Sequence, residues 1–432
     1  MNMMVNAVRR LENMFPGYFA EAKHNHYKDF GYPKELDFSQ FYAMYDRNGM
    51  AEAGIKKTIL KTWEDNPSVW EQEDPKESTL EADIRQRFAD LRVWQNLAEA
   101  DLRYLVGGYA GVIFRFGDDK RFNEPVDGVT GGLDGLVEVI PAWAGQLMVS
   151  EWETNETSES YGKPKMYAFN EAAVGASTGK GRSFDLHPDR VLIWSHDRST
   201  FGRSILRSGY NSLLDMEKIS GAGGEGFYKN AKSSTLLELD KEAKIDEIAR
   251  SMGVPVGEVA DKIDEQMDDF NRGFDASLML QGMTAKTLPV SMISPQHFFN
   301  VALQTFAASI DCPQKILVGN QSGERASTED SAEWAKSNMS RRDNIVRPNI
   351  LDFVNRLERV GILPERDWHL DWTDLTESSM GEKIERAEKM AKINASQYAL
   401  GEPVYTGEEI RDVTGYSPIE WPDDDLGDDS DA

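Results

Sequence analysis

Asp311-Cys312-Pro313-Gln314-Lys315-Ile316-Leu317-Val318-Gly319, continued by Asn320-Gln321-Ser322-Gly323-Glu324-Arg325-Ala326-Ser327-Thr328-Glu329-Asp330, is the stretch on which the reading of this chain turns. It joins the end of one helix to a proline, a polar loop and then a long helix. The loop has glycines and no large apolar residue past Val318, so it has nothing to bury. Ser327 with Asp330 three residues on reads as an N-cap with an acidic box, and Thr328 competes for the cap. Beyond it Trp334, Ile345, Val346, Ile350, Phe353, Val354 and Leu357 recur mostly at three- and four-residue steps, which is one apolar helix face. Pro348 lies inside that helix and predicts a kink. An exposed polar loop that feeds a long buried helix is usually functional.

The whole chain sets bounds on that function. Its 432 residues suffice for several domains or one elongated multi-part subunit, and 40% are hydrophobic. A net charge of −26 argues against tight static binding of nucleic acid, which needs clustered Lys and Arg, but permits DNA to slide past an acidic wall. No apolar run is long enough for a membrane helix, and Met1–Arg10 lacks the apolar segment of a signal peptide. The one cysteine, Cys312, precludes an intrachain disulfide framework and fits assembly in a reducing cytoplasm.

Taken in order, residues 1–60 read as mixed, with short helices expected at Met3–Phe15, from Gln40 and over Gly54–Asp65, and a turn at Asn48-Gly49. Residues 66–80 read as a loop, and Ser78–Leu102 as one strong helix with Leu80, Ile84, Phe88, Leu91 and Leu97 on one side. A β-rich unit follows, with strands expected in 107–117, 137–141, 146–149, 165–169 and 190–194. An amphipathic helix runs from Ile205 toward Phe227, then a strand at 236–239, and helices at Lys241–Ser251 and Pro255–Arg272. Phe274–Ile293 suggests a hairpin pairing Ser277–Leu280 with Lys286–Val290, and Ser294-Pro295 opens the next helix. After the long helix come a strand at 368–372, a charged helix at Glu377–Leu400, and a brief one capped by Thr406 and ended by Gly415. Pro422–Ala432 is an acidic tail of disordered composition.

Chemical motifs are weak. Gly221-Ala222-Gly223-Gly224-Glu225-Gly226 has dinucleotide-binding spacing but follows a helix rather than a strand, so a flexible break in a helix is the better reading. His24 and His26 lack a completing ligand set. His187 and His196, with Ser195 or Ser199 and nearby aspartates, sketch a hydrolytic site without a nucleophile turn. His297 and His369 read as core or interface residues. Arg341, Arg342, Lys336 and Arg347 read as a solvated or subunit-facing helix side. No cofactor, metal or catalytic residue is assigned.

The order of elements carries more than any motif, and it resembles the portal proteins of tailed double-stranded-DNA bacteriophages. The run Asp311–Gly319 is similar to the family's proline, spacer, leucine, x, glycine segment, and Ser322-Gly323-Glu324 and Thr328-Glu329-Asp330 to the residues that follow it. Arg347-Pro348-Asn349-Ile350-Leu351 resembles the proline-containing heart of the long helix. Arg190–Ser195 followed by Phe201-Gly202-Arg203-Ser204-Ile205-Leu206 resembles the strand and x-Gly-x-Ser-x-Leu opening of the wing helix. Glu382–Ala391, Gly401 and Thr406–Arg411 resemble the closing pattern. The echoes cover residues 190–415.

The resemblance implies an α+β portal fold with wing, stem, clip and crown parts, mainly helical with a β-rich unit in the wing. It places the wing at 1–250 (β-rich about 104–200), stem helix 1 at 251–273, the clip hairpin at 274–293 and stem helix 2 at 294–312. The tunnel loop falls at 313–327, the long kinked helix and wing return strand at 328–376, the crown at 377–420 and the tail at 421–432. Gln314, Lys315, Asn320, Gln321, Ser322, Gly323, Glu324 and Arg325 would face a DNA channel; Ser277, Gln281 and Lys286 would serve clip contacts and motor docking. The implied protein is a non-enzymatic ring, a dodecamer, at one capsid vertex of the virion. Double-stranded DNA would pass through it transiently and without sequence preference. Its implied partners are its own copies, the capsid protein, the terminase packaging motor and head–tail adaptor proteins, with no membrane. The rival readings are a hydrolase built on His187 and His196, and another virion adaptor of similar composition.

Overall fold

Capping side chains fix the first helices. Asp37 and Gln40 form a reciprocal capping box at the start of α1 (Phe38–Arg47). Asn48 ends α1 and opens α2 (Gly49–Thr62), its Oδ1 accepting from the amides of Met50 and Ala51. The expected turn at Asn48-Gly49 is thus a hinge between two helices. The computed structural model describes residues 25–71, 77–174, 181–231, 235–239, 244–272, 283–287, 294–319, 324–377, 380–397 and 404–416. The expectations for Met3–Phe15, His24 and the acidic tail lie outside them.

The loop expected at 66–80 contains a strand, β1 (Ser68–Trp70). The strong helix that follows is two helices, α3 (Thr79–Asp90) and α4 (Val93–Gly107), because Arg92 takes a left-handed conformation at φ 51°. The apolar spacing runs through the break, so periodicity alone misses it. β2 (Ala110–Phe116) is flanked by β3 (Leu136–Trp143) and β7 (Val191–Trp194), both antiparallel. Alternation along β2 sends Val112, Phe114 and Phe116 to one core and Ile113 to another. The second core is closed by a sheet of β4 (Leu147–Trp152), β5 (Pro164–Asn170) and β6 (Ser183–Leu186) in that order.

The Phe201–Leu206 motif has a packing explanation. A Cβ on Gly202 would lie 1.9 Å from the carbonyl oxygen of Gly108, and Gly108 itself sits at φ +87°. The loop therefore crosses the end of α4 backbone to backbone, which only glycine permits. Ser204 then donates to the Leu105 carbonyl at 3.3 Å and accepts from the Leu206 amide at 3.2 Å, tying α4 to the helix that follows.

That helix, α5 (Leu206–Ala231), passes through Gly221–Gly226 without a break. It packs along α8 (Gln296–Ser309). Gly209 abuts Phe306 and Ser309, while Gly223 faces Pro295, so the pair is antiparallel. The resemblance names 251–273 and 294–312 as the two stem helices. In the first of these, α7 (Val259–Arg272) instead packs on α6 (Ile245–Met252) through Val259, Ile248 and Ala249. β8 (Thr235–Leu239) pairs antiparallel with β9 (Met283–Thr287), with Leu236 opposite Lys286. The strand expected at Lys286–Val290 thus starts earlier and pairs with a segment far upstream, while Ser277–Leu280 lies outside the described residues.

After α8 come α9 (Gln314–Val318), α10 (Glu324–Arg341), a π-helical turn over Arg342–Val346, and α11 (Arg347–Arg359). α10 begins before the expected caps Ser327 and Thr328. The kink foreseen at Pro348 takes the form of the wide turn just upstream, where the Arg347 amide reaches the Arg342 carbonyl. β10 (His369–Asp371) pairs with β1. α12 (Met380–Gln397) and α13 (Gly407–Thr414) pack together, with Thr406 and Glu409 in a capping box and Gly415 left-handed at φ 74°.

Arg341 and Arg342 are not on a solvated or subunit-facing side. Asp101 is fully buried and accepts from Trp63 Nε1 (2.9 Å), Trp194 Nε1 (3.1 Å) and Arg341 (2.5 Å). Arg342, also fully buried, donates to the Thr62 carbonyl (2.6 Å), the Thr373 carbonyl (2.7 Å) and Asp65 (2.5 Å), with its guanidinium 4.1 Å from the Trp372 ring centre. Burial alone would raise the Asp65 pKa, but hydrogen bonds from Thr373, Arg342 and Trp372 hold it below the usual carboxylate value. The Asp65 contribution is therefore present above the unfolded carboxylate range and is lost as pH falls through the lowered folded value. His297 and His369 are exposed rather than in the core.

Two outcomes are expected from substitutions here. Asp101→Ala removes the buried acceptor of two indole donors and of Arg341, whose side chain is only 12% exposed, so urea unfolding of the full chain should show a loss of about 3–5 kcal/mol; a loss under about 1 kcal/mol would refute the hub role. Gly202→Ala should cost about 1–3 kcal/mol through overpacking against Gly108, read as a lowered thermal midpoint.

Candidate functional site

The turn from α8 to α10 is supported from below. α8 ends at Ser309, Asp311 adopts φ 53°, and its carboxylate accepts from Ser337 of α10 at 2.6 Å. Cys312 is buried, and burial pushes its thiol up to about 11, so it packs as an apolar group. Pro313 precedes α9, and Gly319 closes it at φ 82° with its amide bonded to the Lys315 carbonyl. Lys57 of α2 donates to the carbonyls of Ile316 and, at 3.1 Å, Leu317. These are C-terminal helix carbonyls that lack an intrahelical donor. Leu317 and Trp334 enter the same core as α1, α2, α5 and α8. The expected loop is thus largely helix: Gln314 and Lys315 form the first turn of α9, half-buried beside a cleft of about 450 Å³ that Asp330 and Glu333 also line. Lys315 lies 3.4 Å from Asp330.

The other channel candidates distribute as follows. Asn320, Gln321, Ser322 and Gly323 lie outside the described residues, as do Ser277 and Gln281. Glu324 and Arg325 open α10, and Lys286 sits in β9. Lys57 is the supporting residue that sequence reasoning missed. Its lysine-rich helix face gives no sign that one lysine caps a helix some 260 residues away.

The histidine alternative is not assembled. His187 Nδ1 accepts from the Asp189 amide and lies 3.0 Å from Asp189 Oδ2, while Asp189 also takes Arg359 at 2.8 Å. Ser195 is buried and, like Ser199, donates to Asp197 rather than to an imidazole; His196 is exposed. No serine–histidine hydrogen bond and no cluster of three metal-ligating side chains occurs among the described residues.

A larger open cleft, about 780 Å³, lies between β5 and β7 on one side and α11 on the other. Lys163, Lys165, Arg198, Arg356 and Arg359 line it with Glu153, Asp189 and Asp352. Arg356 donates to the carbonyls of Pro188 (2.6 Å) and Asp189 (2.7 Å), and burial lowers its pKa to about 10. Arg198 pairs with Asp352 at 2.6 Å.

The chain is similar to known proteins in its fold. The neck of an empty GTA particle computed with C6 symmetry aligns at 14% identity over 89% of this chain and 95% of that one, with a TM-score of 0.50. The neck of a native GTA particle with C12 symmetry aligns at 14% identity over 88% and 93%, with a TM-score of 0.49. No curated protein matches significantly. A family model described as phage portal protein matches residues 39–395, which include the α8–α9–α10 turn and both cores joined to it. By that match, which takes in most of its length, the chain belongs to the phage portal protein family.

Proposed function

We propose that this chain closes into a twelve-membered ring at one capsid vertex, through which viral DNA is packaged and ejected. The observation that carries this is the family match over residues 39–395 together with the braced turn at Asp311–Gly319. The antiparallel pair α5 and α8 is the stem, and residues 232–295 between them, with β8, α6, α7 and β9, are the clip. This moves the clip boundary upstream, since α8 packs on α5 and β9 pairs with β8. The clip receives the terminase packaging motor and later the head–tail adaptors, and the wing meets the capsid protein. α9 is the footing of the tunnel loop, which takes in Asn320–Gly323.

The chain acts as a scaffold and conduit rather than as an enzyme. Sliding DNA must not be trapped: each phosphate neutralised raises affinity and drag together. A chain at −26 keeps such contacts few, and Lys315 is already paired with Asp330. The pairing leaves only a weak basic contact at the footing.

Replacing Asn320, Gln321 and Ser322 with glycine keeps the number of residues between α9 and α10 unchanged. Rings should still form by negative-stain microscopy, while the DNA retained per particle should fall sharply. Normal packaging by that variant would sink the tunnel-loop assignment.

A further inference from the structure

The large cleft beside α11 has features that the channel reading does not use. Its cationic side chains outnumber its acidic ones, Lys163, Lys165, Arg198, Arg356 and Arg359 against Glu153, Asp189 and Asp352, in a chain whose net charge is −26. At its edge Trp152 and Phe201 stack face to face, with ring centres 5.9 Å apart and planes 11° apart. Trp152 is paired to Pro164, which lines the cleft, and Phe201 follows Arg198 in the same loop. The two rings remain 39% and 74% exposed. Tyr161 and Met148 are exposed on the same small sheet and its loop.

We propose that this cleft is the seat for a neighbouring copy of the chain, with the Trp152–Phe201 ledge as its apolar anchor. The inference rests on the ring reading above. Copies that each carry −26 repel one another, and a closed ring needs each copy to offer two different, complementary faces. Screening limits this contest to about 8 Å at physiological salt, so local charge decides which faces meet. The cleft reverses the sign of the chain locally and is therefore complementary to the acidic surface of the next copy. Exposed tryptophan, other aromatics and arginine around a concave floor are also the composition of residues that dominate protein interfaces.

Nucleic acid fits less well. Cations beside an aromatic ledge attract phosphates and bases. Here, however, Asp189 and Asp352 stand within the floor, paired with Arg359 and Arg198, and Glu153 adds a third carboxylate. Fixed carboxylates oppose a polyanion, whereas a protein face carries both signs and can match both.

The test uses the full chain with Phe201→Ala, Lys163→Glu and Lys165→Glu combined. These side chains are exposed, so an unchanged circular-dichroism melt confirms that the fold is intact. Mass photometry should show at least a tenfold rise in the concentration needed for rings. A photo-crosslinking residue at 201 in the otherwise unaltered chain should yield copy-to-copy adducts. Rings forming at the wild-type concentration, or a position-201 adduct found only with DNA or with capsid protein, would overturn the proposal. Failure of the wild-type chain to form rings at any concentration would instead defeat the ring reading itself, and this inference with it.

Discussion

A single buried carboxylate sets the terms for the rest of the fold. Asp101 has no solvent contact, and both its oxygens are used, by Trp63 on one and by Trp194 and Arg341 on the other. A charge in such a place persists only if it is paired and fully hydrogen-bonded. The three donors come from the end of α2, from β7 and from α10, so satisfying Asp101 requires all three to converge on α4. One residue further along, Arg342 repeats the demand against Asp65, Thr62 and Thr373. An apolar helix face tolerates sliding by a fraction of a turn, whereas these donors do not. The pairs thereby fix the register of the long helix.

Two consecutive arginines can both point inward because the helix changes gauge there. The π-helical turn begins at Arg342 and ends at Val346, just before Pro348. A proline ring presses on the carbonyl four residues back, here that of Asn344. Widening the turn moves that carbonyl aside and re-aims the flanking side chains. One irregularity thus accommodates the proline and seats the buried cations. Val346, Ile350, Phe353, Val354 and Leu357 then continue into the wing core.

Much of this was legible from sequence, and the failures share a cause. Local signals were read well: Thr406 and Gly415 at the ends of α13, the strands around Val112, Val139 and Val191, and the glycine–serine opening of α5. The family, too, was readable from the order of elements around Asp311–Gly319. What escaped was set at long range. The Arg341–Arg342 pair looked solvated because nothing near it in sequence reveals a carboxylate from α4 or the α2–β1 turn. The pairing of β8 with β9 spans 44 residues or more, and a hairpin reading sees only neighbours. Gly221–Gly226 reads as a break because glycine's low helix propensity is a local signal, whereas the packing of α5 on α8 that overrides it is not.

The supports of the loop and the clamp of the long helix meet on one element. α2 offers Lys57 to the carbonyls of α9 and, about 7.5 Å further along its axis, Thr62 to Arg341 and Arg342. Trp63, at its end, packs against both principal cores while donating to Asp101. A force applied to α9 reaches α2 through the Lys57 side chain and the apolar core they share, and passes to α4 and α10 through the Trp63 and Thr62 contacts. Close-packed interiors resist such displacement rather than absorb it. The conduit proposed above requires walls with this property. The polar contacts of α2 thereby hold the footing from which residues 320–323 continue.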